Sequence, residues 1–242
     1  MKEEIKKLLY ENGASLIGFG RLEGLYSKMS PDAPRSEDSE TEPFNIPEYP
    51  YGVAIVLAYP KEVIRGIGNS PTMEYYNDYH RLNDELDELA VMCAKYIEEQ
   101  GYYAYPQLTA TMKEYGIFRT IMPHKTVAVK AGLGWIGKSA LFVTEQYGSA
   151  VRLTSVLTDA PLEVKDTILP SGCGDCMVCT KACPGKAISG RKVSPGLDRD
   201  EFFDALACRK KARELAAEAL DKKITLCGKC IEVCPYTRRY LG

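Results

Sequence analysis

Residues 173–184 read CGDCMVCTKACP and residues 227–235 read CGKCIEVCP. The first run places Cys173, Cys176, Cys179 and Cys183 at gaps of two, two and three residues and ends on Pro184. The second gives Cys227, Cys230 and Cys234 before Pro235, and Cys208 supplies one more thiol between the runs. Eight of the nine cysteines in this 242-residue chain therefore lie after residue 172. Such density means disulfides in a small secreted chain, but close spacings in a chain this long point to metal. Paired C-x2-C units can make structural zinc sites, which need four ligands per ion. A C-x2-C-x2-C-x3-C-P run does something else: three thiolates bind one iron–sulfur cubane and the fourth reaches a second. Two runs of this kind favour iron–sulfur over zinc.

The first run has the bacterial ferredoxin spacing, and ferredoxin-style crossing assigns the thiols. One 4Fe–4S cluster would use Cys173, Cys176, Cys179 and Cys234; the other would use Cys183, Cys208, Cys227 and Cys230. Charge agrees with this. From residue 171 onward there are 14 Lys+Arg against 9 Asp+Glu, a balance of +5, while residues 1–170 hold 17 against 24, or −7. Eight thiolates around two oxidised cores leave roughly −4, which nearly cancels the basic tail without a nucleic-acid partner. RKKAR (209–213) and TRRY (237–240) then read as solvated helix faces before docking patches.

The preceding residues are mixed. Residues 2–12 suit a helix ended by Gly13, SLIGFG reads as a short strand, and the apolar run GVAIVLAYP (52–60) as a buried central strand. Residues 27–50 carry no period and are rich in Pro, Ser and acids, as in a mobile loop or a lid. A long helix is expected over 72–99, capped by Ser70 or Thr72. Its apolar stripe runs through Tyr75, Tyr79, Leu82, Leu86, Leu89, Cys93 and Tyr96, which makes Cys93 a core thiol. YYAYPQL (102–108) reads as a strand. The class is α+β, with a core over 1–168 and a ferredoxin-like domain over 169–242. No apolar stretch approaches membrane-spanning length, and the charged start MKEEIKKLLYENG is not a secretion signal, so the expected location is cytoplasmic.

GLGWIGKS (132–139) fits both the dinucleotide fingerprint and the P-loop. Both motifs require a helix after the glycines, because its free N–H groups hold the phosphates. Here LFVT and AVRLTSVLT follow, joined by the turn-like EQYGS, which predicts a hairpin instead. Asp159, near the place of a ribose-binding acid, is then coincidental. HKTVAVKA (124–131) is strand or helix; as a helix it would make Gly132 its C-cap and reverse the polarity of a phosphate site. The glycines, with Trp135 and Ile136 among them, let backbone come close to a flat or bulky group.

Taken together, KAGLGWIGKSALFVTEQYGS, LTDAPL and the cysteine runs ending CPYTRRY resemble the cobalamin-dependent epoxyqueuosine reductases and, more distantly, the reductive dehalogenases. The likeness extends from about residue 50 onward. It implies a nitroreductase-like α/β core that holds base-off cobalamin against a two-cluster ferredoxin module, with electrons passing through the clusters to cobalt. It also implies that Gly132, Gly134, Trp135, Gly137 and Lys138 lie beside the corrinoid. An iron–sulfur and corrinoid-dependent reductase of a small molecule is the leading expectation, supplied by a donor such as ferredoxin or flavodoxin. The alternatives are an electron-transfer protein or reductive activase for a corrinoid protein partner, and a reductase with FMN in its core.

Two departures from the family bear on its substrate. The transfer-RNA reductases carry Asp-Ser-x-Pro upstream of the glycine loop, and its aspartate is their proton donor; the matching stretch here, FRTIMPHK (118–125), has no carboxylate. His124 is the group there suited to proton transfer near neutrality, although Lys125 beside it lowers its proton affinity. Tyr75, Tyr76 and Tyr79 are further donors to consider. The family's helical-repeat RNA-gripping region also has no counterpart before Gly242, so transfer RNA is not the expected partner. The cobalamin motif D-x-H-x-x-G is broken as well: DYHRLN (78–83) has Asn83 in place of its glycine.

Overall fold

Alternating and continuous apolar runs become strands where they can bury both faces, and the computed structural model of the chain bears this out for its sheet. The structure describes residues 1–28, 37, 39–40, 42, 44–164, 168–194 and 196–242. The mobile loop or lid expected over 27–50 therefore falls in part outside the described residues. Helix α1 spans Lys2–Glu11 and is followed by strands β1 (Leu16–Arg21) and β2 (Tyr51–Ala58). Helices α2 (Lys61–Gly66) and α3 (Met73–Glu99) come next, then β3 (Ala104–Gln107) and α4 (His124–Lys130). Strands β4 (Trp135–Ile136), β5 (Phe142–Val143) and β6 (Val151–Thr158) precede the cysteine-rich segment. That segment holds α5 (Val178–Ala182), a short 3-10 turn, α6 (Ala205–Leu220), α7 (Lys229–Glu232) and α8 (Pro235–Leu241). Among the described residues, no helix is long and apolar enough to cross a membrane.

The chain packs as two compact units. One comprises Met1–Leu57, Asn83–Leu133 and Arg152–Leu169; the other comprises Ala58–Leu82, Gly134–Val151 and Pro170–Gly242. The second unit thus takes in two earlier segments besides the cysteine-rich tail expected from residue 169.

The main sheet has the order β1-β2-β6-β3. β1 and β2 are antiparallel, Leu16 opposite Val56 and Arg21 opposite Tyr51; β3 and β6 are antiparallel, Ala104 opposite Thr158 and Gln107 opposite Ser155. β2 is buried from Gly52 to Leu57, as a central strand with no solvent face must be. α4 lies against β1 because glycine alternates there: a Cβ on Gly18 would come within 2.7 Å of the Ala131 Cβ, and one on Gly20 within 2.9 Å of the Lys130 Cβ.

In α3 the expected stripe is buried at Tyr75, Leu82, Leu86, Leu89 and Cys93, with Ile97 extending it. Thr72 caps this helix by accepting a hydrogen bond from the Tyr75 N–H at 3.2 Å. Asn83, the residue that breaks the cobalamin motif, is buried in the first unit, where its Oδ1 accepts from Arg152 Nε (2.9 Å) and Nη2 (2.6 Å).

The hairpin expected from LFVT and AVRLTSVLT does not form. β5 pairs instead with β4, Trp135 opposite Val143, and β6 joins the main sheet between β2 and β3. Phe142 and Val143 are both buried, and their backbone is paired with Ile136 and Trp135, which leaves β6 to pair elsewhere. EQYGS still turns the chain, closing Thr144 onto Gly148 by a pair of backbone hydrogen bonds.

Replacing Asn83 by Leu removes a buried acceptor from a guanidinium. It is expected to lower stability by about 1.5–3 kcal/mol, read as a shift in the urea midpoint, whereas Asn83→Asp retains the acceptor and loses less.

Candidate metal centre

Helix ends present the thiols of the second unit. Cys179 lies in α5 and Cys183 follows that helix as its C-cap; Cys208 lies in the first turn of α6, whose cap Asp204 accepts from the Ala207 N–H at 2.9 Å. Cys230 lies in α7, and Cys234 caps α8 with Pro235 in the first helical position, where its missing N–H costs nothing. Cys173 and Cys176 share a turn closed by a 2.9 Å bond from the Cys176 N–H to the Cys173 carbonyl. All eight thiols are free and partly buried, and Cys93 is free and fully buried.

The thiols sort by which neighbours oppose their ionisation. Burial pushes Cys179 up to about 11, with Cys173, Cys234 and Cys176 adding to the effect. Burial pushes Cys208 up to about 11 as well, and there the added charges are Cys183 and Cys227. Cys230 lies well above the usual thiol range, first through burial and then through Cys208 and Cys227, with smaller effects from Cys179 and Cys183. The arrangement is therefore one of two interleaved groups in close succession. Thiols so placed ionise together only around a positive core. Among the described residues, no three or more His, Cys, Asp or Glu side chains converge as a single metal ion would need. A zinc ion draws its thiolates to about 2.3 Å, whereas a cubane takes its ligands on separate irons.

The glycine loop has a structural role beside these thiols. α4 ends at it, with Ala131 as C-cap and Gly132 at φ +71°, so a helix carbonyl end stands where a phosphate site needs an N-terminus. A Cβ on Gly134 would meet the Val143 carbonyl oxygen at 2.1 Å; one on Gly137 would lie 2.9 Å from Val143 Cγ2 and 3.5 Å from Cys173 Sγ. Trp135 is buried edge-on against Tyr236, ring centroids 4.9 Å apart, and a Cβ on Gly172 would come within 2.7 Å of its ring. Lys138 is only 3% exposed, and its Nζ donates to the Cys176 carbonyl at 2.8 Å with Met177 Sδ at 3.7 Å. Among the described residues, the buried Trp135 Nε1 and Thr180 Oγ1 find no hydrogen-bond partner. Both belong to residues next to the first thiol group, and an acceptor-rich cluster suits that surrounding.

The first unit contains a cavity of about 340 Å³, lined among others by Phe44, Ile46, Tyr105, Gln107, Lys113 and Met122. Its buried Gln107 donates from Nε2 to Ser155 Oγ at 2.7 Å, and Ser155 Oγ lies 2.9 Å from His124 Nδ1. His124 keeps some residue surface, yet its imidazole is enclosed: desolvation, then the Arg152 charge, lowers it from the ordinary 6.5 to about 4. The imidazole is neutral at pH 7. Tyr75 packs against Tyr59, while Tyr76 and Tyr79 sit edge-on to His80. Asp159 accepts from the Tyr103 N–H at 2.8 Å, fixing the lead into β3. Sequence reasoning missed Gln107, Ser155 and Thr180; a glutamine and a serine inside otherwise apolar strand patterns were the available signal.

The unfolded imidazole takes its proton near pH 6.5 and the folded one near 4. The unfolded state therefore binds more protons between those values, and stability falls as pH drops through that window. Above 6.5 the group has no effect, and below 4 the loss is complete. The stability difference between wild type and His124→Gln, measured by urea unfolding, should shrink by at most about 3 kcal/mol from pH 7 to pH 4; a constant difference contradicts the enclosed neutral imidazole.

Residues 172–237 match the 4Fe-4S double cluster binding domain. The chain is 36% identical to the epoxyqueuosine reductase of Listeria monocytogenes over 119 residues, which are 46% of this chain and 29% of that one. To the epoxyqueuosine reductase of Lactococcus garvieae it is 26% identical, across 98% of this chain and 70% of that one. It thus spans less than a third of the Listeria relative's length. Among solved structures it resembles the catabolic reductive dehalogenase NpRdhA, with a TM-score of 0.72 at 22% identity, covering 98% of this chain and 32% of that chain. It also resembles an epoxyqueuosine reductase with a tRNA-Tyr epoxyqueuosine-modified tRNA stem loop, with a TM-score of 0.58 at 23% identity, covering 98% and 65%. At such identities the structures share a fold. The expectation against transfer RNA finds no support beside that second structure, and the FMN alternative gains none from these relatives. The chain is thus similar to the epoxyqueuosine reductases, and its residues 172–237 match a 4Fe-4S double cluster binding domain.

Proposed function

We propose that the chain is an oxidoreductase, an iron–sulfur and corrinoid-dependent reductase whose first unit is a nitroreductase-like core. The observation that carries this reading is the sorting of eight thiols into two interleaved groups within a segment matching a double-cluster domain. Cys173, Cys176, Cys179 and Cys234 hold one 4Fe–4S cluster; Cys183, Cys208, Cys227 and Cys230 hold the other. When bound, the clusters supply one-electron transfer and the corrinoid a low-potential cobalt centre.

The chain's own residues do the rest. Gly134 and Gly137 let the loop lie against β5 and Cys173, and Trp135 and Lys138 secure the first cluster's segment. By the family resemblance, the same loop lies beside the corrinoid. His124, neutral at pH 7, keeps Ser155 and Gln107 in one hydrogen-bonded row that reaches the cavity wall at Gln107 and is not the source of a proton from an imidazolium. The cavity has the size of a small-molecule site, and its lining mixes apolar side chains with the polar Asn45, Gln107, Thr111 and Lys113. A second reading of the substrate, a modified base carried on transfer RNA, is favoured by the stem-loop-bound neighbour. The electron donor is of the ferredoxin or flavodoxin type.

Protein purified without oxygen should contain iron and acid-labile sulfide for two cubanes and bind cobalamin in a one-to-one ratio, with a change in the cobalamin absorption spectrum. Epoxyqueuosine-modified stem loop, added to the loaded and reduced protein, separates the two substrate readings: conversion to queuosine supports transfer RNA. Clusters without cobalamin binding, together with binding to a corrinoid protein, would replace the reductase with an electron-transfer protein or activase. Zinc in place of iron sinks every version. On ligation, Cys208→Ser should lose about half the iron, whereas Cys93→Ser, altering a thiol that burial holds at about 12 inside α3, should lose none.

A further inference from the structure

Lys138 is a cation in an unusual position. It is 3% exposed, and among the described residues its ammonium donates to a neutral carbonyl, that of Cys176, beside the Met177 thioether, with no carboxylate in hydrogen-bond contact. The nearby carboxylate, Asp175, feels the Lys138 charge but is exposed and held at 2.8 Å by Lys192. A buried ammonium without a carboxylate partner is strongly disfavoured unless other negative charge stands close by. Around the other thiol group the cation in evidence has a direct carboxylate partner. Lys229, whose charge is felt by Cys227, pairs with Glu232 at 3.0 Å; Glu232 is itself buried and also takes Arg238.

We infer that Lys138 is the counter-ion of the cluster on Cys173, Cys176, Cys179 and Cys234, and that it makes this cluster the higher-potential member of the pair. The inference rests on the cluster assignment proposed above. Reduction adds one electron and one negative charge to a cluster, so a fixed cation beside it favours the reduced form. Lys138 supplies that cation on one side without a directly paired carboxylate, whereas on the other Glu232 pairs directly with Lys229 and offsets its charge in part. In protein carrying a single added electron, that electron resides on the first cluster: if it enters at the second, the second core returns to its oxidised state as the first is reduced, with no proton involved. The loop that imitates a P-loop thus uses its lysine on an anion after all, a sulfur-ligated one. Lys138 acts here as a tuning and positioning residue.

The test is an oxygen-free redox titration of the full chain followed by the electron paramagnetic resonance of the reduced clusters. Wild type should reduce in two separate steps. Lys138→Met should make the upper step at least tenfold less favourable, about 59 mV for one electron, leave the lower step in place, and lose the effect in Lys138→Arg. Glu232→Gln should move the lower step upward. In Cys208→Ser protein the surviving cluster should titrate at the upper step. Unmoved steps in Lys138→Met, or equal movement of both, overturn the inference while leaving two clusters in place. If Lys138→Met sheds its first cluster, Glu232→Gln decides, and an unmoved lower step there overturns it. Wild type without two clusters removes both this inference and the proposed function.

Discussion

Like charges held close together in a partly dry place must be compensated, and eight thiols of the second unit impose that requirement on everything around them. Each of Cys179, Cys208 and Cys230 is kept from ionising by burial and by its neighbours. Ionising them all at once requires positive charge in their midst, which a metal–sulfide core provides, and positive charge around them, which the sequence provides in its basic tail. Lys229 and Arg238 belong to that tail, Lys138 adds to it from the glycine loop, and Glu232 moderates it.

The same requirement explains why the second unit is not the cysteine-rich tail alone. Short helices of four to seven residues cannot bury much apolar surface by themselves. Trp135 against Tyr236, Ser149 donating to Thr237 Oγ1 at 3.1 Å, and Tyr240 donating to the Tyr59 carbonyl at 2.9 Å tie earlier segments to that tail. The glycine loop is one of those ties, and its resemblance to nucleotide motifs comes from a shared need, backbone brought close to something bulky.

What could be read from sequence was local. The spacing of Cys173 to Cys183, the stripe of α3 and the buried run of β2 each express a period or a count, and each reappears in the structure. Strand partners were not legible: β5 and β6 are adjacent in sequence and both apolar, but β5 pairs back onto the preceding Trp135 and Ile136, and β6 pairs with the remote strand that ends at Gln107. Polar residues within apolar strands, such as Ser155, and the roles of Asn83 and Thr180 depend on neighbours that no local pattern discloses.

The ties from Tyr59 to Tyr240 and from Arg65 to the Leu241 carbonyl join residues 181 and 176 positions apart. A ribosome delivers the earlier partner of each tie long before the later one. The second unit therefore closes only once Tyr240 and Leu241 have emerged, so its thiols are gathered into place late and together, not one by one as each is made.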